Sequence, residues 1–147
     1  MESSKFPKVG VAVVIFNKEG KILVGKRISK SHGFNTWCVP GGKLEFKEDP
    51  ERCAEREVME EAGVKIKNLR FVAITNDIFE KENLHYITLW YSAELVDGEE
   101  AKVMEPDKFE CWKWVKPEDV KNLKPLFLPF ENFLKLSPQT LFHARKD

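Results

Sequence analysis

The chain has 147 residues, a length typical of one domain with its own apolar core, and we expect a single domain over residues 1–147. Lysine plus arginine and aspartate plus glutamate are equal at 24 each, so the zero net charge does not indicate a protein that binds nucleic acid. No stretch approaches the ~20 apolar residues of a membrane span, and the start MESSKFPK lacks the apolar run of a secretory signal.

The chain contains three cysteines, Cys38, Cys53 and Cys111. Their number is odd and none belongs to a CxxC pair, which argues against a disulfide framework and against a zinc site. We therefore expect reduced thiols in a cytoplasmic protein without a membrane partner.

The first predicted elements are two strands joined by a turn. Residues 9–16 (VGVAVVIF) form an apolar run rich in valine, which is typical of a strand buried on both faces. Residues 21–27 (KILVGKR) follow the turn NKEG and complete a hairpin. Lys26 and Arg27 lie at the end of this strand, where they are either exposed or in contact with a substrate phosphate. The polar, aperiodic residues 28–36 then predict a loop.

A proline and two glycines, Pro40-Gly41-Gly42, predict an irregular backbone after a short apolar segment. Gly41 and Gly42 allow the chain to approach a ligand closely, and a glycine carbonyl can serve as a metal ligand. Leu44 and Phe46 alternate with charged residues and predict a brief strand before the next element.

That next element is a helix with sequence signals at both ends. Asp49 is a good N-cap residue, Pro50 suits the first helical position, and Gly63 suits the position just past the last turn. These signals predict a helix over Pro50–Ala62. At 100° per residue, one stripe of this helix is apolar and would face the core: Ala54, Val58, Ala62 and, less squarely, Met59.

A second face of this helix carries the acids Glu57, Glu60 and Glu61, at spacings of i, i+3 and i+4. Carboxylates at this spacing are neighbours and destabilise an isolated helix. Arg56 lies beside them but cannot neutralise all three, and Glu48 brings a fourth carboxylate to the start of the helix. One explanation is a solvated acidic face. The other is a bound cation, which for oxygen ligands alone would be Mg²⁺ or Mn²⁺ and not Zn²⁺.

Two β-rich segments, residues 68–79 and 84–95, are joined by the charged turn EKEN and predict an antiparallel pair. His85 is predicted to be structural or on the surface, because no serine or cysteine stands at a triad spacing from it. Residues 96–108 are polar and acidic and predict a loop long enough to overhang an active site.

The last part of the chain alternates short elements. Residues 109–115 (FECWKWV) predict a strand, the sequence PED starts a short helical turn, and the apolar residues 126–136 predict a helix. The phenylalanines of that helix are expected to be mostly core. Residues 138–147 are expected to form a loosely ordered tail.

The spacing of the acids decides between the two explanations of the acidic face. From Gly42 the sequence reads Gly, five residues, Glu, seven residues, Arg-Glu, an aliphatic residue, one residue, Glu-Glu, one residue, Gly and Val. This pattern matches the Nudix box at every fixed position, so the chain resembles the Nudix hydrolases over residues 42–64. The resemblance implies an α/β fold, an α/β/α sandwich with a mixed central sheet, in which the box forms a loop–helix–loop.

The same resemblance implies roles for the residues of the box. Glu57, Glu60 and Glu61 correspond to metal-binding carboxylates, and the Gly41 carbonyl corresponds to an additional ligand of Mg²⁺, for which Mn²⁺ is a substitute. Which carboxylate acts as general base varies within the family and stays open. Glu48 corresponds to the box glutamate that supports the metal cluster. Arg56 corresponds to the arginine that orients a box glutamate through an ion pair.

Other segments resemble the MutT-related branch of the family, namely PGGKLEF, residues 81–86, MEPDKFECWKWV and PLFLPFENF. They are similar to eukaryotic-type enzymes that hydrolyse oxidised or modified purine nucleoside triphosphates to monophosphate and pyrophosphate. Members of this branch are often homodimers. One position departs from the branch, because Lys43 stands where a histidine is common.

A Mg²⁺-binding group of carboxylates on a helix, a glycine-rich segment and nearby cationic side chains together indicate a diphosphate-containing substrate. We therefore predict a Mg²⁺-dependent nucleoside triphosphate pyrophosphohydrolase, with these candidates for substrate binding: Arg27, Gly41, Gly42 and Lys43. The alternatives are hydrolysis of another diphosphate, such as ADP-ribose or a prenyl diphosphate, and, less expected, a nucleotide sensor without turnover.

Overall fold

The computed structural model describes residues 5–136, so the predicted tail over residues 138–147 lies outside the described residues. The strands are β1 (Lys8–Phe16), β2 (Ile22–Arg27), β3 (Trp37–Cys38), β4 (Gly41–Lys43), β5 (Ile66–Phe79), β6 (Leu84–Leu95) and β7 (Phe109–Val115). The helices are α1 (Pro50–Ala62), a 3₁₀ helix (Pro117–Asn122) and α2 (Leu128–Lys135). Within residues 5–136, none of the helices has the length and apolar character needed to span a bilayer.

The strands form one mixed sheet in the order β3-β2-β1-β6-β5, with β4 paired to β1 and β7 paired to β2. Strand β1 runs parallel to β6, and the other pairs are antiparallel. The two predicted antiparallel pairs, β1 with β2 and β5 with β6, are therefore confirmed.

The valine-rich strand β1 lies in the centre of the sheet and contributes apolar side chains to both faces of the sheet. Side chains alternate across a strand, so Val11, Val13 and Ile15 pack in the cluster that contains α1. The intervening Ala12 and Val14 pack in the cluster that contains Trp90 and the α2 phenylalanines. One helix thus covers each face of the sheet, which confirms the α/β/α arrangement.

Helix α1 begins and ends where its sequence signals predict. The Asp49 side chain accepts a hydrogen bond from the Glu51 N–H at 3.1 Å, which satisfies an N–H group at the helix start. Gly63 has φ +67°, and its N–H donates to the carbonyls of Val58 and Met59. A residue with a side chain would be strained at this φ, which explains the glycine.

The irregular backbone predicted at Pro40-Gly41-Gly42 is wrong, because both glycines belong to strand β4. A Cβ atom on Gly41 would lie 2.3 Å from the Val11 carbonyl oxygen on β1. The glycine is needed here for close backbone approach within a sheet, a contact that local sequence does not reveal.

The brief strand predicted at Leu44 and Phe46 is also wrong, since β4 ends at Lys43 and a turn follows. Lys47 has φ +68°, a left-handed conformation that cannot continue a strand, and the Phe46 side chain is 91% exposed. The alternating apolar and charged residues therefore belong to a turn and not to a strand.

The segment over residues 96–108 is a loop, as predicted, but most of it packs along the end of α1. Lys102 N–H donates to the Ala62 carbonyl at 2.9 Å, and Met104 N–H donates to the Glu61 carbonyl at 3.3 Å. Only its last residue, Lys108, reaches the wall of the cavity described below. His85 lies near the surface, with Nε2 at 2.5 Å from Asn76 Oδ1.

Candidate active site

A cavity of about 350 Å³ opens between β4, α1, the loop after β2 and the start of α2. Its charged lining residues are Glu57, Glu61, Arg27, Lys43 and Lys108. Its ring-bearing lining residues are His32, Phe79, Tyr86, Trp90, Phe109, Phe127 and Phe130. The cavity therefore joins a charged region to an aromatic one.

Glu61 lies in the wall of this cavity and is only 7% exposed. Its Oε1 accepts a hydrogen bond from the Gly41 N–H at 3.0 Å. Burial raises the pKa of Glu61 well above its usual value, because one backbone donor offsets little of the lost hydration of a carboxylate.

Glu57 lies one helical turn before Glu61 and faces the same cavity. A Cβ atom on Gly42 would lie 2.2 Å from the Glu57 carboxyl carbon, so the carboxyl group occupies the space that a larger residue would fill. Burial raises the pKa of Glu57, and the nearby charge of Glu60 acts in the same direction. The cavity thus holds two acids that are both costly to ionise.

Arg56 connects the acids around the start and middle of α1. Its Nε and Nη2 donate to the two Glu48 carboxylate oxygens at 2.7 and 3.0 Å, a bidentate pair. Its Nη1 lies 3.0 Å from Glu57 Oε2 and 3.2 Å from Glu60 Oε1. The hydrogen bonds from Arg56 lower the pKa of Glu48 to about 2. Arg56 therefore holds one carboxylate oxygen of Glu57 in place.

Of the three acids predicted to bind a metal, Glu57 and Glu61 line the cavity, whereas Glu60 does not. Glu60 is rotated about 100° from Glu61 around the helix axis, so its side chain points toward Arg56 and is 49% exposed. Within residues 5–136, no three His, Cys, Asp or Glu side chains are grouped closely enough to form a ready-made metal site. Two of the three predicted carboxylates line the cavity. Gly41 contacts Glu61 through its N–H, and the ligand role of its carbonyl stays a prediction.

A family model described as the NUDIX domain matches residues 6–136. The chain belongs to the Nudix family. It is 34% identical over 123 residues to mouse diphosphoinositol polyphosphate phosphohydrolase 3-alpha, an alignment that covers 81% of this chain and 71% of the relative. It is 27% identical over 138 residues to the RNA pyrophosphohydrolase of Zymomonas mobilis subsp. mobilis, covering 80% of this chain and 88% of the relative.

Among solved structures, the crystal structure of a MutT NUDIX hydrolase from Burkholderia pseudomallei matches this Nudix chain with a TM-score of 0.76. The two sequences are 27% identical, and the match covers 93% of this chain and 97% of the other. The resemblance, the fold class and the enzyme class predicted from the box are confirmed. The protein is a Nudix hydrolase that acts on pyrophosphate bonds.

Arg27 is one of the cationic residues that line the Nudix cavity. Its Nη2 donates to the His32 carbonyl at 3.1 Å, and its guanidinium carbon lies 4.1 Å from the centre of the Phe127 ring. Among residues 5–136, Arg27 Nε is the buried side-chain nitrogen without a hydrogen-bond partner. Of the two cations predicted at this strand end, Arg27 faces the cavity, whereas Lys26 lies over the Trp37 ring.

Sequence reasoning missed a cluster of rings at the cavity, formed by His32, Phe79, Tyr86 and Phe127. The His32 ring lies 4.9 Å from Phe79, 6.0 Å from Tyr86 and 5.6 Å from Phe127, measured between ring centres. Burial lowers the pKa of His32, and Arg27 acts in the same direction, so both favour the neutral imidazole. The four rings come from the loop after β2, the end of β5, strand β6 and the residue before α2, and no local pattern in the sequence connects them.

Proposed function

We propose that the protein hydrolyses nucleoside triphosphates, including those with oxidised or modified purines, to a nucleoside monophosphate and pyrophosphate. The observation that carries this proposal is the composition of one cavity. It contains the carboxylates of Glu57 and Glu61, the cationic side chain of Arg27 and a cluster of rings. Carboxylates suit a divalent cation, arginine suits phosphate oxygens, and rings suit a planar base.

The donor set of the cavity fits Mg²⁺, with Mn²⁺ as a substitute. Glu57 and Glu61 offer hard oxygen donors, and burial disfavours the charge of both in the absence of a cation. We propose that these two side chains hold the metal, with Glu60 and the Gly41 carbonyl as further ligands, while Arg56 and Glu48 support Glu57. When bound, Mg²⁺ would withdraw charge from the phosphate oxygens and lower the pKa of a bound water.

The cations of the cavity are proposed to bind the phosphates. Arg27 lines the cavity, and its guanidinium group is suited to charge-assisted hydrogen bonds with phosphate oxygens. Lys43 and Lys108 add two further positive side chains to the lining, and Gly42 leaves the backbone of β4 accessible. Lys43 thus retains a cation at the position where relatives commonly have histidine.

Replacement of Arg27 by Gln is expected to raise KM for a nucleoside triphosphate by about 10- to 100-fold, because a charge-assisted hydrogen bond to phosphate is lost. The matched control is Lys26→Gln. Lys26 is the preceding residue on β2, but its ammonium packs over the Trp37 ring. Steady-state kinetics of the two variants would contradict the proposed role of Arg27 if their KM values were equal.

The ring cluster favours a nucleotide over a diphosphoinositol polyphosphate. Several additional phosphates would meet a lining that holds three cationic and two acidic side chains, so much of their charge would lie against aromatic carbon. A planar base, in contrast, can stack on His32, Tyr86 or Phe127 without loss of charge solvation. The mouse relative's name therefore identifies a diphosphoinositol polyphosphate as a competing substrate to test. The lining of the cavity favours the nucleotide.

A panel of substrates with Mg²⁺ tests this proposal. It includes natural and oxidised purine triphosphates, ADP-ribose, a prenyl diphosphate, a diphosphoinositol polyphosphate and a 5′-triphosphorylated RNA, with products identified by mass spectrometry. We expect the purine triphosphates to have the highest kcat/KM and to yield monophosphate and pyrophosphate. A higher kcat/KM for any other class would overturn the substrate assignment. Nucleotide binding without turnover of any substrate would indicate a sensor instead.

We further propose a cytoplasmic homodimer. All three cysteines are free, and Cys38 and Cys53 are buried thiols whose pKa is raised to about 12 by burial. Free thiols are typical of proteins in a reducing compartment, which supports the proposed cytoplasmic location.

The proposed dimer is supported by strand β5, a 14-residue edge strand with three exposed apolar side chains, Phe71, Ile74 and Ile78. Sedimentation equilibrium should therefore give twice the 17.1 kDa mass of the chain. A monomer at micromolar concentration would contradict the dimer.

A further inference from the structure

A buried polar network borders the cavity, and two of its members, Thr88 and Trp90, belong to the cavity lining. Asp77, on β5, is fully buried. Its Oδ2 contacts the hydroxyls of Thr75 at 3.0 Å and Thr88 at 2.5 Å, and its Oδ1 contacts Asn132 Nδ2 at 2.9 Å. Trp90 Nε1 joins the network through Thr75 Oγ1 at 2.9 Å.

Two N–H groups of this network, on Trp90 Nε1 and Asn132 Nδ2, can only donate hydrogen bonds. They determine the direction of the other hydrogen bonds in the network. The indole N–H of Trp90 has no acceptor capacity, so Thr75 Oγ1 accepts from it and directs its own proton to Asp77. Asn132 Nδ2 also lies 3.3 Å from the Asn76 carbonyl, which only accepts, so the amino group of Asn132 faces Asp77. Both carboxylate oxygens of Asp77 are therefore acceptors.

The hydroxyl of Thr88 must then donate its single proton to Asp77. Thr88 is also a lining residue of the cavity, and Thr75 is not. A Cβ atom built on Gly10 would lie 3.5 Å from Thr88 Oγ1 and 3.6 Å from the Gly42 carbonyl oxygen. The space left open by Gly10 is thus flanked by two oxygens, and toward it Thr88 offers only lone pairs.

We propose that Thr88 is a specificity-determining residue that accepts a hydrogen bond from an amino group on the substrate base, and that Asp77 is the positioning residue that keeps Thr88 an acceptor. A keto oxygen at the same place would face two acceptors and leave the lone pairs of Thr88 without a donor. This inference rests on the proposed function, because it presumes that a nucleobase enters the cavity. It predicts preference for amino-bearing purines over their deaminated counterparts by about 10- to 100-fold.

The test measures kcat/KM for dATP, dGTP and dITP, which differ in their amino groups, and expresses the result as dATP/dITP and dGTP/dITP ratios. At least one ratio should be ten or more in the wild type. In Thr88→Val that ratio should fall toward one, and in Thr88→Ser, which retains the hydroxyl, it should be kept. Thr75→Val is the matched control, since it removes a donor from the same carboxylate outside the cavity and should lower stability without changing the ratio.

Asp77→Asn gives a readout that a purely structural role would not produce. Because Asn132 still donates toward the Oδ1 position, the new amide would direct its NH₂ group toward Thr88 and release the Thr88 proton for a keto group. The dATP/dITP ratio should therefore fall below one, because dITP carries a keto oxygen where dATP carries its amino group. A preference expressed in the dGTP/dITP ratio should fall toward one, because dITP carries only hydrogen at that position. If this variant or Thr88→Val does not fold, Gly10→Ala replaces them. Its methyl group meets neighbours at 3.5 Å or more and should lower the ratio by blocking access to Thr88.

Failure of this inference is distinguishable from failure of the proposed function. A wild-type enzyme that hydrolyses neither these three nucleotides nor oxidised purine triphosphates would overturn both. Activity on oxidised purine triphosphates alone would overturn only the inference about Thr88. Ratios near one in an active wild-type enzyme, or a high ratio that survives Thr88→Val or Gly10→Ala, would overturn the role of Thr88 alone. A ratio in Asp77→Asn equal to that of the wild type would overturn the positioning role of Asp77.

Discussion

Replacing Glu57 by Gln is expected to lower kcat for a nucleoside triphosphate in saturating Mg²⁺ by on the order of 10³-fold. The amide has nearly the same size as the carboxyl group, so it fits against Gly42 and keeps a hydrogen bond from Arg56 available. What it removes is the negative charge that we propose holds the cation in the cavity. The loss should therefore fall on turnover, while the thermal midpoint should stay the same or rise, because a buried charge is removed.

Two variants on the same helix serve as controls for Glu57→Gln. Glu55→Gln changes an exposed carboxylate away from the cavity and should leave kcat unchanged. Glu60→Gln should have an intermediate effect, since Glu60 is half-exposed and contacts Arg56 at 3.2 Å. Rapid-quench measurements of a single turnover would separate chemistry from product release. Equal kcat values for Glu57→Gln and Glu55→Gln would contradict a catalytic role for Glu57.

Replacing Gly42 by Ala is expected to abolish most turnover without changing any charged group. The added Cβ would lie 2.2 Å from the Glu57 carboxyl carbon and 2.3 Å from its Oε2, so the carboxyl group must move out of its position. A displaced ligand should lower kcat by on the order of 10²-fold or more. The strain should also lower the free energy of unfolding by about 1–3 kcal/mol, as overpacking does elsewhere.

A double variant separates this mechanism from a general effect on β4. In a Glu57→Ala background the carboxyl group is absent, so the alanine at position 42 has space and should cost little stability. Chemical denaturation of the four proteins gives the coupling free energy between the two positions. Additive free energies would contradict the proposed contact between the Gly42 backbone and the Glu57 carboxyl group.

The helix that carries the acids could be predicted to the residue from the sequence. Asp49, Pro50 and Gly63 act on the backbone within a few residues of their own position, so the relevant physics is local. The spacing of the glutamates around the helix is likewise a local property. It predicted that Glu57, Glu60 and Glu61 share a face, whereas in the structure Glu57 and Glu61 line the cavity and Glu60 is half-exposed beside Arg56.

The errors and omissions lie where contacts join distant parts of the chain. Gly41 appeared to be a loop glycine, because its packing against Val11 is set by strand pairing across 30 residues of sequence. The ring cluster combines a loop residue, His32, with Phe127 at the start of α2. The Asp77 network likewise spans β5, β6 and α2. Such long-range contacts have no periodic signature in a single sequence.

Binding of Mn²⁺ tests the central claim most directly, because it does not depend on knowing the substrate. Electron paramagnetic resonance titrations would compare the wild-type protein, the double variant Glu57→Gln/Glu61→Gln and the control Glu55→Gln. We predict that the double variant binds Mn²⁺ at least about 10-fold more weakly than the other two. Equal affinity and stoichiometry in all three proteins would contradict a cation site formed by the acids of this helix.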